Sequence, residues 1–263
     1  MRTIFIPLIA FLALIPSALL AANDPARQEW KVDGVVREAL VAAPASAKSE
    51  ASPLVFVFHG HGGTMRSAAR QFHIHELWPE AIVVYPQGLN TPGRLTDPQG
   101  TKPGWQSTVG AQEDRDLKFF DAMLKSLRET YKVDDKRIYS TGHSNGGGFT
   151  YLLWDARGDV FAAFAPSGAA TARAPQLKPK PMLHIAGSKD PLVKFEWQEK
   201  TIEVVRKNNG CDTEGKKSGE FYTSYPAKND TVVDTYIYDG GHTFPAYAAP
   251  KLIVEFFKKH PAK

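Results

Sequence analysis

Residues 137–147 read Arg137-Ile138-Tyr139-Ser140-Thr141-Gly142-His143-Ser144-Asn145-Gly146-Gly147, a run of strand-forming residues that passes directly into Gly-x-Ser-x-Gly. A helical stretch over 147–155 follows. A serine between two glycines at a strand-to-helix junction has a steric reason. The turn is too sharp for side chains at its flanks, and its strained apex lifts the hydroxyl above the carboxyl edge of the sheet. The same turn aims backbone N–H groups at the start of the helix toward any negative charge that develops there. Ser144 is therefore the candidate nucleophile, and the N–H of Asn145 a candidate donor to an oxyanion.

Outward from this junction, the chain alternates apolar strands with amphipathic helices. Residues 54–58 are continuously apolar, as a parallel strand covered on both faces would be, and 81–85 repeat the pattern. Residues 30–41 read as an extended hairpin-like stretch and 42–53 as a small-residue connector. Helices are expected over 66–73, 113–131, 196–208 and 246–259, and further strands over 160–165, 182–186 and 232–238. Residues 87–112 carry five glycines and three prolines without periodicity and read as one long loop. Strands alternating with helices imply right-handed crossovers, so the expected class is α/β, a mostly parallel central sheet with helices on both faces.

A serine hydroxyl needs a base, and the base needs a carboxylate to hold its tautomer. His242, in Gly240-Gly241-His242-Thr243 after the last strand, stands where such a sheet would present the base. Asp190, in Gly187-Ser188-Lys189-Asp190 after the strand over 182–186, supplies the acid in the chain order serine, acid, histidine. Asp239 is its rival, but so close to His242 in sequence that it suits a turn better. The glycine-rich loop His59-Gly60-His61-Gly62-Gly63 lets backbone approach a substrate, and the N–H of His61 is the candidate second oxyanion donor. His143 adjoins the nucleophile but points elsewhere on a tight turn, and His184 reads as a core residue. The pairs His59 and His61, and His73 and His75, lack a matching cysteine or carboxylate spacing, so no metal site is expected.

The chain has 263 residues, 43% of them hydrophobic and 23% charged, within the globular range, and no linker divides it. The net charge of +4 is spread among 28 acidic residues rather than gathered in a stripe, which argues against nucleic acid as a partner. Arg2, the apolar run 4–20 with Pro7 and Pro16, and Ala21-Ala22 make the succession of a secretory signal peptide. The expected organisation is a signal peptide over 1–22 and one catalytic domain over 23–263, secreted or periplasmic and free of the membrane after cleavage. Cys211 is the lone cysteine, so no disulfide can form within the chain.

With these pieces in place, the chain resembles the feruloyl esterase, acetylxylan esterase and polyhydroxybutyrate depolymerase-like group of secreted α/β-hydrolases. The matching motifs are His59-Gly60-x-Gly62-Gly63, Tyr85-Pro86-x-Gly88, Gly104-Trp105, the acidic start of the helix at 113–116, Gly142-His143-Ser144-Asn145-Gly146-Gly147, Gly187-x-x-Asp190 and Gly241-His242-x-x-Pro245. The resemblance implies an α/β-hydrolase fold and a Ser-His-Asp esterase that acts without cofactor on carboxylic esters attached to, or making up, a polymer. Asp114-Arg115-Asp116-Leu117 lacks the glycine that usually follows the paired acids, and the chain has no second module for solid polymer, which points to small esters or oligomers. Trp105 is expected to form a wall of the acyl pocket. A serine peptidase of related fold and a non-catalytic glycan- or polymer-binding homologue are the alternatives.

Overall fold

The computed structural model describes residues 23–263, and the segment 1–22 read as a signal peptide lies outside the described residues. The chain opens with a hairpin, β1 (Ala26–Val32) and β2 (Val35–Ala42). Asp33 and Gly34 join them, both at positive φ, the conformation a two-residue hairpin turn requires. There follow β3 (Ser52–Phe58), α1 (Met65–Phe72), α2 (Ile74–Leu77), β4 (Ile82–Pro86) and a small ladder of β5 (Leu89–Asn90) with β6 (Pro103–Gly104). Next come α3 (Arg115–Thr130), β7 (Val133–His143), α4 (Asn145–Arg157), β8 (Ala163–Ser167), β9 (Met182–Gly187) and α5 (Phe195–Asn209). β10 (Lys216–Ser218), β11 (Tyr222–Tyr225), β12 (Val233–Tyr238) and α6 (Ala249–Lys259) complete the chain.

The main sheet has ten strands in the order β1-β2-β4-β3-β7-β8-β9-β12-β11-β10. Its six central strands, β4 to β12 in that order, pair parallel, and the edge strands pair antiparallel. Strand period 2 divides the core between the two faces. Leu54, Phe56 and Phe58 of β3 join a cluster with Phe120 of α3 and Phe149 of α4, while Val55 and Val57 join one with Phe72 of α1 and Phe257 of α6. This is the α/β-hydrolase architecture. Chain direction across the sheet reverses between β3 and β7, since β4 lies on one side of β3 and β7 on the other. Loops leaving the carboxyl ends of two such strands diverge and open a crevice, the usual place for a ligand in an open α/β sheet.

Three local expectations are corrected. Residues 87–112 contain the β5–β6 ladder rather than loop alone. The helix expected from residue 113 starts at Arg115, because Gln112, Glu113 and Asp114 all hold left-handed φ of 53° to 57°. The Gln106 side chain reaches across and accepts from the Asp116 N–H at 3.0 Å, capping α3 from a distant loop. The strands β10 and β11 have polar sequences, exposed or half-buried, and so carried no hydrophobic period to read. Among the described residues, no helix is long and apolar enough to cross a membrane.

Candidate active site

Ser144 sits between β7 and α4 at φ 57° and ψ −121°, a conformation that costs a non-glycine residue free energy and persists only when its surroundings enforce it. The glycines beside it explain how. A Cβ on Gly146 would lie 2.2 Å from the Phe58 carbonyl oxygen, and one on Gly142 would lie 2.5 Å from that of Gly146. Backbone packed this closely leaves the apex no other path. The Ser144 N–H is anchored to the Ser167 carbonyl of β8 at 2.8 Å.

The structure brings Ser144, Asp190 and His242 together at the carboxyl edge. Ser144 Oγ lies 2.7 Å from His242 Nε2, and His242 Nδ1 lies 2.7 Å from Asp190 Oδ2. The Asp190 side chain is fully buried and that of His242 is 19% exposed. The loops that carry them meet because Gly187 has no side chain: a Cβ there would sit 2.2 Å from the Gly241 carbonyl oxygen. Asp190 Oδ1 accepts from the N–H groups of Leu192 and Val193 at 2.9 and 3.0 Å, which fixes the carboxylate on its own loop. Asp239 instead pairs with Lys189 on the exposed rim.

The His143 ring bonds elsewhere than Ser144. Its Nε2–H donates to the His242 carbonyl at 2.8 Å, and its Nδ1 accepts from the Ser167 hydroxyl at 3.0 Å. Desolvation pushes its pKa down to about 4, so the ring is neutral and can make both bonds. It ties the histidine loop to β7 and β8.

On the opposite side the segment after β3 runs against the elbow. A Cβ on Gly60 would lie 3.6 Å from the Ser144 Cβ. Among the described residues, the N–H groups of His61 and Asn145 donate to no protein acceptor. The His61 ring turns away to Asp97, Nε2 to Oδ2 at 3.0 Å. Asn145 uses its side chain as a clasp: Oδ1 accepts from the Trp105 N–H at 2.7 Å and Nδ2 donates to the Trp105 carbonyl at 3.2 Å.

The expected role of the Trp105 side chain is corrected. The residue is 1% exposed, stacks with Phe149 at 5.3 Å and meets Phe58 edge-on at 5.1 Å. Its Nε1–H donates to the His59 carbonyl at 2.8 Å. A buried indole needs an acceptor, and here the acceptor is the strand end itself, so the ring belongs to the core rather than to a pocket wall. The paired histidines have separate partners as well. His59 Nε2 accepts from the Gly88 N–H at 2.9 Å, His61 bonds Asp97, and His75 meets the Tyr85 hydroxyl at 2.8 Å.

Sequence reasoning passed over the residues behind Asp190. Gln198 Nε2 donates to Asp190 Oδ2 at 3.0 Å, and Gln198 in turn meets His184. One signal was present: Gln198 lies on the stripe of α5 that carries Ile202, Val205 and Asn209, all buried. A glutamine on an apolar stripe asks for a buried partner.

The sequence profile of the phospholipase/carboxylesterase family matches residues 40–232. Feruloyl esterase C of Emericella nidulans is 27% identical, with 92% of this chain and 91% of that protein aligned. A bifunctional acetylxylan esterase/xylanase of Neocallimastix patriciarum is 27% identical over 81% of this chain, which spans 29% of that longer protein. Among solved structures, a ferulic acid esterase superposes with a TM-score of 0.64 at 16% identity, covering 89% of this chain and 97% of its own. An acetyl xylan esterase from Aspergillus awamori gives 0.64 at 14% identity, covering 89% and 99%. At such identities the likeness concerns the fold.

Proposed function

The chain belongs to the phospholipase/carboxylesterase family, and from that premise we propose that it is an exported serine esterase that hydrolyses carboxylic esters through Ser144, His242 and Asp190. One observation carries the reading: an unbroken line from the Ser144 hydroxyl through both ring nitrogens of His242 to a buried carboxylate, with 2.7 Å at each step. His242 Nε2 takes the Ser144 proton as Oγ attacks the ester carbonyl carbon. The N–H groups of His61 and Asn145 hold the oxyanion, and they act without rearrangement because both segments are already fixed. As the carbon–oxygen bond to the alcohol breaks, His242 gives its proton to the leaving oxygen. Water then attacks the acyl-serine, losing a proton to His242 that returns to Ser144 Oγ as the acid departs.

The names of the relatives support a reading of the substrate class. They point to feruloyl esters and to acetyl esters of xylan, and a hydroxyalkanoate ester is the third class in keeping with the sequence motifs. No step calls for a cofactor. The signal-like segment 1–22 supports a secreted or periplasmic enzyme, with 23–263 as its catalytic domain.

Ser144→Ala tests the reading. Hydrolysis of short p-nitrophenyl esters should fall on the order of 10⁵-fold with the circular dichroism spectrum unchanged. Retained turnover, or absence of Ser144 labelling by a fluorophosphonate in the unsubstituted protein, overturns it. Feruloyl, acetyl and hydroxybutyryl esters, run beside a peptide amide at equal concentration, assign the acyl class and separate an esterase from a peptidase.

A further inference from the structure

Asp190 accepts four hydrogen bonds, and one of them comes from a polar chain buried behind the site. Leu192 and Val193 N–H serve Oδ1; His242 Nδ1–H and Gln198 Nε2 serve Oδ2. Gln198 Nε2 has its second proton on the Val193 carbonyl at 2.7 Å, so the amide nitrogen is fully used. Its Oε1 must therefore accept, and the donor is His184 Nε2–H at 3.1 Å. With its proton on Nε2, His184 presents Nδ1 as an acceptor, and the Tyr151 hydroxyl donates to it at 2.8 Å. Every proton in the chain from Tyr151 of α4, through His184 of β9 and Gln198 of α5, to Asp190 thus has one direction, and all of them point toward the carboxylate.

Gln198 and His184 are wholly buried and Tyr151 is 1% exposed. Burial holds His184 neutral, with a pKa of about 4, and keeps the Tyr151 phenol well above its ordinary value, so neither end can reverse the polarity by ionising. Apolar side chains of similar volume would fill this space without the cost of desolvating three polar groups. A fully satisfied polar chain that ends on the carboxylate of the reacting histidine does something packing alone cannot: it takes up part of the charge on Oδ2, the same atom that holds His242.

We propose that Gln198, oriented by His184 and Tyr151, is a positioning residue that sets through Asp190 how firmly His242 keeps a proton. The inference rests on the proposed esterase reading. A carboxylate with a fourth donor holds an imidazolium less tightly, so His242 surrenders its proton more readily to a poor leaving alcohol. The titratable groups facing His242 are Asp190 from the β9 loop and His143 from β7, whose ring centroid is 5.0 Å away. Tyr238 of β12 lies beside Asp190, and the Lys189–Asp239 pair stands outside on the exposed rim. Of these, changing Gln198 touches Asp190 alone, the group through which the effect is carried.

Gln198→Met, close in volume and a good helix former, removes the fourth donor. The acidic limb of kcat/KM for a p-nitrophenyl ester should move up by about one pH unit, as losing one hydrogen bond to a charged group implies. On an ethyl ester, whose alcohol leaves only when protonated, kcat should fall about tenfold with KM within twofold. Tyr151→Phe should move the limb in the same direction by less. A folded Gln198→Met protein that is less stable but has an unmoved limb overturns the proposal; should that protein not fold, an unmoved limb in Tyr151→Phe does so. Ester turnover and fluorophosphonate labelling of the unsubstituted protein are measured alongside. If both are intact, an unmoved limb defeats this relay alone, whereas their absence defeats the esterase reading on which it stands.

Discussion

The two walls that flank Ser144 are built in opposite ways. On the β3–β4 side three polar side chains turn inward to hold backbone: His59 takes the Gly88 N–H, Gln87 Oε1 takes the Met65 N–H at 3.0 Å, and Asp97 takes the Lys102 N–H at 2.9 Å. What meets Ser144 there is backbone, at Gly60. On the β8–β9 side Gly168 approaches the His242 ring, and beyond it side chains stand open, with Trp197 46% exposed. The difference is what the acyl transfer proposed at Ser144 requires. An oxyanion needs dipoles that do not move, and a substrate side group needs contacts that can vary without disturbing them.

The largest expected effect falls on the first wall. Trp105 is a strut in this comparison, wedged between Phe58 and Phe149 and bonded to the His59 carbonyl. Trp105→Ala opens a cavity and leaves that carbonyl without its donor, so urea unfolding should show a loss of about 3–5 kcal/mol. A loss below about 1 kcal/mol with a raised KM would make Trp105 a pocket wall after all and invert the contrast.

Both walls share one device, the neutral buried histidine. Burial lowers His59 on one side, and His143 and His184 on the other, to about 4. Unfolded, each titrates near 6.5, so between pH 6.5 and 4 the unfolded chain binds protons the folded one refuses. Stability is therefore fully present above pH 6.5 and lost as pH falls through this window, by about 1.4 kcal/mol per pH unit for each ring. Urea midpoints at pH 7, 6 and 5 check this. His143→Asn should flatten the slope by one ring's share, about 1.4 kcal/mol per pH unit, and an unchanged slope would mean that His143 is protonated in the folded state.

How much could be read from the sequence follows the same division. Ser144, Asp190 and His242 stand out because each sits at a strand end marked by glycines a few residues away, and close backbone approach at Gly146 and Gly187 is a local demand. Trp105 was misplaced because a tryptophan in a glycine- and proline-rich stretch has no period to say which way its ring faces. The answer lies at His59, 46 residues upstream. The start of α3 was missed for a similar reason, since its cap comes from Gln106 rather than from a neighbouring Ser, Thr or Asp. Gln198 shows in the sequence only as a glutamine on an apolar stripe of α5, and its partners on β9 and α4 are brought to it by the fold.

The smallest effect is expected on the second wall, and it tests the contrast most sharply. Trp197 stands on the first turn of α5 with the Lys194 ammonium 5.7 Å from its ring centroid. It lines an open groove of about 520 Å³ together with Ala170, Thr171, Lys200 and Val204, and Ala170 follows shortly after Gly168, where a Cβ would lie 3.5 Å from the His242 ring. A side chain so exposed carries little of the fold, and Trp197→Ala should change unfolding free energy by less than about 0.5 kcal/mol. An aromatic platform is worth about 0.5–1.5 kcal/mol to a ring stacked upon it, so KM for a feruloyl ester should rise about threefold to tenfold with kcat unchanged. An acetyl ester, which has no ring to stack, should be indifferent. Equal changes for both esters would place the acyl group elsewhere. A large stability loss would show that the second wall, like the first, uses its aromatic side chains to hold itself together.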